Sequence, residues 1–153
     1  VAPCAAFARD QRVRLAFEPS MRPDVSFVNT VRDAVDVARR TDLGIVVDFG
    51  NCWMERDFRE VLLAAAPHIA LVQVGDTVIG GSKAPGPAMG GGRVPFGEGE
   101  LPIARMLGDV RDTGYVGPIE LELHCPLGES GGYAAGIRRG VAQAEAMFAQ
   151  VGL

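Results

Sequence analysis

Lysine is almost missing from this chain: Lys83 is the only one, and arginine supplies nearly all of the positive charge. With 15 basic against 19 acidic residues the formal charge is −4, which excludes the basic face that nucleic-acid phosphates or an anionic membrane require. No apolar run approaches the roughly 18 residues of a membrane-spanning helix, and no basic stretch followed by an apolar one marks a secretory leader. Only three cysteines occur, Cys4, Cys52 and Cys125, too far apart to suggest a disulfide framework. The cytoplasm is therefore the expected compartment. Histidine is just as scarce, with His68 and His124 alone, so a histidine-rich metal cluster is ruled out. No G-x-G-x-x-G follows any strand-like run, which argues against a dinucleotide site.

What is present is an apolar fraction of 48% spread over 153 residues, enough for one domain with a core of its own. A short helix is expected over 3–11, with Cys4, Phe7 and Ala8 on one face. A strand over 13–17 runs into Glu18-Pro19 and stops at the proline. Ser26 reads as an N-cap, with Val28, Val31, Val35 and Ala38 recurring at helical spacing behind it as far as Arg39-Arg40. The wholly apolar run from Leu43 ends in Asp48 and a glycine turn. A helix over 56–66 shows Phe58, Val61, Leu62 and Ala65 on one side, and a strand over 69–74 closes at Gly75-Asp76. Residues 77–92 then hold six glycines and two prolines, and a loop of that length inside a compact domain is usually functional or mobile. A helix over 100–113 ends at Gly114, a strand follows over 119–123, and a last helix turns Ile137, Val141, Ala144 and Phe148 inward.

Strands alternating with helices imply a parallel sheet built by crossovers. Four such units make about half of an eightfold barrel, which typically takes about 250 residues; an open doubly wound sheet is the competing arrangement. In a parallel barrel the C-terminal strand ends share one rim, where active sites are built. Glu18, Asp48, Gln73 and Glu122 all fall in or at such ends. Three carboxylates at one spot repel one another unless a cation lies between them. Oxygen-rich ligation favours Mg²⁺ or Mn²⁺, with Co²⁺ and Zn²⁺ as alternatives. Each carboxylate taken singly is as well explained by a solvated loop end or a helix cap.

The segments LAFEP at 15–19, GIVVDFGNCW at 44–53, LVQVGD at 71–76, GRVPFGEGELP at 92–102 and GYVGPIELE at 114–122 resemble the C-terminal half of the xylose-isomerase-like TIM barrels, the sugar phosphate isomerase/epimerase family. The resemblance implies a (β/α)₈ barrel of which the single unit 1–153 supplies strands five to eight with their helices. It also implies that Glu18, Asp48, Gln73 and Glu122 occupy the four metal-ligand positions, and that Arg93 lies where family members often contact an anionic or hydroxylated substrate. Two departures stand out. The third ligand is commonly histidine and here is Gln73; a histidine often found three residues beyond the aspartate is here Asn51.

A divalent ion chelating adjacent oxygens of a ketose or keto-acid polarises the carbonyl and stabilises the enediolate left by α-proton removal. Glu18 and Glu122 are candidates for the proton shuttle as well as for ligation. His124, two residues past Glu122 and so on the same strand face, is a third acid/base candidate, against the alternative of a histidine merely hydrogen-bonded at a strand end. Asn51 and Trp53 are expected near substrate, with Phe96 as a further apolar wall, though core packing explains Trp53 equally well. Glu120 shares the parity of Glu122 and is expected inside the barrel or beside the ligands. A rival zinc or thiol site from Cys52, His124 and Cys125 fits no recognised spacing.

The leading expectation is thus a metal-dependent isomerase or epimerase of carbohydrate metabolism acting on a small polyhydroxylated carbonyl compound. A dehydratase-type lyase comes second, favoured by Gln73 and the long loop, and a non-catalytic half-barrel third. The chain begins at Val1 rather than Met, and a half-barrel leaves two sheet edges open. A longer intact protein, or pairing with the missing N-terminal half or an oligomer partner, is expected.

Overall fold

The computed structural model describes residues 1–79, 92–123 and 132–153. Its frame is a four-stranded parallel sheet in the order β1 (Ala16–Phe17), β2 (Gly44–Asp48), β3 (Ile69–Val74) and β6 (Ile119–Leu121). A separate antiparallel ribbon joins β4 (Asp76–Val78) to β5 (Gly92–Val94). The helices are α1 (Ala2–Asp10), α2 (Val31–Ala38), a single turn α3 (Phe49–Cys52), α4 (Phe58–Ala65), α5 (Ile103–Asp112) and α6 (Gly132–Val151). None of the helices among the described residues is long and apolar enough to cross a membrane.

Strand periodicity assigns the two faces of the sheet. Ile45, Val47, Val72 and Val74 point to one side and are buried among Val31, Val35, Val61, Leu62, Met106 and Leu107 of α2, α4 and α5. Each such aliphatic side chain contributes roughly 1.5–3 kcal/mol by leaving water, so this helix-side layer is what holds the sheet together. The other parity carries Val46, Leu71, Gln73 and Glu120, which are half-buried or exposed. That face is the concave, inner side of a partial barrel. Register places Asp48 beside Gln73 and Gln73 beside Glu120. Three polar side chains thus stand in one row across the inner face near its C-terminal rim.

Several expected details change. The strand foreseen over 13–17 pairs only at Ala16 and Phe17; Arg14 ahead of it instead turns its guanidinium onto the carbonyls of His68 and Ile69, each at 3.0 Å. The cap of α2 is Thr30, whose hydroxyl accepts from the Asp33 amide at 3.0 Å, while Ser26 closes a turn onto Val28. A threonine three residues before an acidic residue is the better capping pair. On α1, Phe7 is exposed and Ala5 is the buried residue. On α6 the buried seam is Gly136, Gly140 and Ala144, whereas Ile137 and Val141 are exposed. The close approach explains this: a β-carbon on Gly140 would lie 2.8 Å from the Leu123 side chain, so small residues face the sheet and large ones are displaced outward.

Candidate active site

The strand-to-helix turn at the end of β2 is the centre of the site. Asp48 is 1% exposed and caps α3, its Oδ1 accepting from the Gly50 amide at 2.9 Å. Its other oxygen, Oδ2, accepts from Asn51 Nδ2 at 2.9 Å and from an Arg93 guanidinium nitrogen at 2.8 Å. Asn51 Nδ2 also donates to Glu18 Oε1 at 2.5 Å, so one amide ties the ends of β1 and β2 together. The second terminal nitrogen of Arg93 lies 2.7 Å from Glu122 Oε2. That contact is an ion pair whose angles fall short of a well-directed hydrogen bond among the described residues. Arg93 therefore stands between Asp48 and Glu122, reaching them from β5 of the ribbon.

Glycine makes this position available. A β-carbon at Gly75 would come within 2.9 Å of one guanidinium nitrogen of Arg93, and one at Gly50 within 3.2 Å of the other. Burial favours neutral arginine, but the Asp48 and Glu122 charges outweigh it, and the guanidinium is held above its ordinary pKa. Glu18 goes the other way relative to its ionised form. Burial first, then the Asp48 charge, push its carboxyl above the ordinary 4.5 against the pull of Asn51; Glu122 adds to the rise and Arg93 opposes it.

Gln73 lies beside Asp48 in register. Its amide nitrogen donates to Glu120 Oε2 at 2.9 Å, which fixes the orientation of the side chain, and its Oε1 is buried with no hydrogen-bond partner. Among the described residues this oxygen is thus an unpaired buried acceptor, flanked in register by Asp48 and Glu120. No three carboxylate, imidazole or thiolate groups among the described residues converge closely enough to hold a metal ion as they stand.

The other expected residues divide. Trp53, at the end of α3, is half-buried and packs against the hydrophobic core; Phe96 is buried in that core and forms no open pocket wall. Cys52 is buried, and its thiol is pushed well up by burial and by Asp48, which leaves it an inert packing residue. His124 and Cys125 lie outside the described residues. A cavity of about 530 Å³ lies at the opposite, N-terminal end of the strands around Arg14 and His68, remote from Glu18, Asp48 and Glu122.

Asp76 was not singled out by its sequence. It is 4% exposed, and its carboxylate accepts from the backbone amides of Thr77, Gly97 and Gly99 at 2.9–3.0 Å and of Leu101 at 3.3 Å. This clamp folds 97–101 back onto the ribbon that carries Arg93. The signal for it was the glycine pair in GEG at 97–99, since a β-carbon on Gly99 would lie 2.1 Å from the carboxylate.

Comparison with known proteins gives one family and a set of folds. Residues 1–144 match the family described as Xylose isomerase-like TIM barrel. No relative among curated protein sequences matches the chain. Among solved structures, a Sinorhizobium meliloti protein is similar at 20% identity and a TM-score of 0.77, over 95% of this chain and 54% of its own. D-psicose 3-epimerase, solved in the presence of D-fructose, is similar at 18% identity and a TM-score of 0.74, over 98% of this chain and 53% of its own. The IOLI protein with a bound zinc atom is similar at 22% identity and a TM-score of 0.70, over 98% and 52%. The chain thus spans about half the length of these structures.

Proposed function

From the premise that this chain belongs to the Xylose isomerase-like TIM barrel family, we propose that it carries the metal-binding half of an isomerase or epimerase acting on a small polyhydroxylated carbonyl compound by proton abstraction next to the carbonyl. The observation that carries the reading is the rim itself: Asp48 and Glu122 flank one arginine, Asn51 joins Glu18 to Asp48, and Gln73, whose buried Oε1 has no partner among the described residues, lies beside Asp48 in register. Three carboxylates and one guanidinium leave an excess of negative charge; the Glu18 carboxyl is raised by burial first and by the Asp48 charge second. These donors fit a hard divalent cation held by Glu18, Asp48, Gln73 and Glu122, Mn²⁺ or Mg²⁺ by donor type. D-psicose 3-epimerase and the zinc-bound IOLI protein share the fold, which supports both halves of the reading.

When bound, such an ion would polarise the substrate carbonyl and stabilise negative charge on its oxygens. The protein's own groups supply the rest. Glu18 follows β1 and Glu122 follows β6, the two outer strands of the sheet, so they approach a substrate over the rim from opposite sides. Glu18 takes the proton from the carbon next to the carbonyl. Asn51 fixes the direction of that carboxylate by donating to its Oε1. Glu122 returns a proton from the other side: delivery to the same carbon epimerises, and delivery to the neighbouring carbon isomerises.

Titration calorimetry with Mn²⁺ tests the site. Wild-type protein binds one equivalent, and Asp48→Ala and Glu122→Ala each abolish binding; unchanged affinity in both variants refutes the assignment. Incubation of ketoses and keto-acids in D₂O with Mn²⁺ tests the reaction. Deuterium uptake without loss of water is expected, whereas ultraviolet absorbance from a new conjugated enone would replace the isomerase reading with that of a lyase. Neither signal across a broad panel would favour a non-catalytic half-barrel.

A further inference from the structure

We propose that Arg93 is an exchangeable counter-ion: it neutralises Asp48 and Glu122 in the metal-free protein, is expelled from both carboxylates by the incoming divalent cation, and is thereby released toward the substrate's oxygens. The inference rests on the metal reading above and adds to it a competition built into the chain.

At Asp48, Oδ1 is engaged by the Gly50 amide alone, and Oδ2 by both Asn51 and Arg93. Each carboxylate oxygen offers about two lone-pair sites, so a cation joining Oδ2 must displace a donor. The Gly50 amide is fixed in the capping turn, and Asn51 is neutral. Arg93 alone carries positive charge, so Coulomb repulsion from a divalent ion falls on it first. The same arginine covers Glu122, a second member of the ligand set, so one departure frees two ligands. Its hold on Glu122 is the weaker, because that carboxylate is 43% exposed and screened by water whereas Asp48 is fully buried.

Gly50 and Gly75 admit the guanidinium to this position, where β-carbons would crowd it. Arg93 is mounted on β5, which pairs with β4 and not with the four-stranded sheet, so its side chain can withdraw without breaking the β2–β3–β6 ladder. Once removed from Asp48 and Glu122, it remains at the rim as a planar donor for hydroxyl, carboxylate or phosphate oxygens. Metal binding and substrate recognition are coupled in this way through one residue.

The test measures Mn²⁺ affinity by calorimetry in wild type, Arg93→Met and Arg93→Lys, and follows the guanidinium N–H signals of wild-type protein labelled with ¹⁵N-arginine as diamagnetic Mg²⁺ is added. Arg93→Met is expected to bind Mn²⁺ roughly 10- to 100-fold more tightly, the factor that corresponds to one charge-assisted pair no longer broken on binding. Arg93→Lys, with a single ammonium that cannot bridge two carboxylates, falls between. In wild type the Arg93 signals, slowed and shifted by pairing, move to the position of a free guanidinium as Mg²⁺ saturates the site. Equal or weaker binding in Arg93→Met overturns the inference while leaving the metal site standing, as do Arg93 signals that stay in place at saturation. Absence of Mn²⁺ binding from wild type and both variants removes the metal reading, and the inference with it. If Arg93→Met fails to fold, the wild-type spectra decide.

Discussion

Replacing Asp76 by alanine isolates the clamp that supports the arginine ribbon, and its cost follows from the four amides it releases. Thr77 and Leu101 are themselves buried, so their N–H groups lose a partner that water cannot replace; each such loss costs about 1–3 kcal/mol. Gly97 is exposed and Gly99 half-buried, so their amides exchange the carboxylate for water at little cost. Removing a buried carboxylate that has no cationic partner among the described residues returns part of its desolvation penalty. The net expectation is a loss of about 3 kcal/mol, a large share of the roughly 5–15 kcal/mol that holds a domain together. Urea unfolding followed by Trp53 fluorescence should show the midpoint falling with an unchanged slope. Amide hydrogen exchange should lose protection specifically at Gly97, Gly99 and Leu101. Asp76→Asn, which keeps the shape and one acceptor oxygen, should cost about half as much. A shift below about 0.5 kcal/mol, the usual range for a surface substitution, or retained protection at those amides, would refute the clamp.

Three further outcomes are expected. Arg111 first, then Arg59, hold the Asp112 carboxyl below its ordinary 3.8, an arrangement that ties α4 to α5. A depressed carboxylate stabilises the fold above its unfolded value and loses that contribution as pH falls through the folded one. Asp112→Asn should therefore lower the melting temperature at pH 7 but not at pH 2, and equal losses at both would contradict the pairing. Gly140→Ala should destabilise by about 1–3 kcal/mol through overpacking against Leu123. Gly108→Ala, with nothing within 4 Å of the new methyl in the middle of α5, should stabilise by about 0.5–1 kcal/mol; thermal melts giving both changes the same sign would contradict the packing described. Finally, we propose that the inner face is closed by the complementary four βα units, since the structures it resembles are about twice as long. The apolar cleft of about 350 Å³ beside β6, lined by Leu121, Leu123, Tyr133, Ile137 and Val141, lies along the seam such a half would cover. Sedimentation of the chain alone should show self-association that the complementary half suppresses; a stable monomer unaffected by it would end that proposal.

The helix faces were legible before any coordinates because burial on one side demands a period that the sequence must carry. Val31, Val35, Val61, Leu62, Met106 and Leu107 all land in the core where their spacing put them. Ile137 and Val141 broke the rule for α6 because their helix lies so close to β6 that only glycine and alanine fit its seam. Ser26 and Thr30 both place a hydroxyl ahead of α2, and only the turn geometry selects Thr30 as its cap.

The site divides along the same line. Sequence alone determined the alternation of strands and helices and the positions of Glu18, Asp48, Gln73 and Glu122 in or at strand ends, because strand period and parallel connection are local properties of the chain. Tertiary structure alone decided that Arg93 lies between Asp48 and Glu122, that Gln73 keeps one oxygen unpaired, and that Asp76 fastens the ribbon beneath them. Those contacts join residues 21 to 45 positions apart in the chain, and no periodicity records which distant charge a folded backbone will carry into reach.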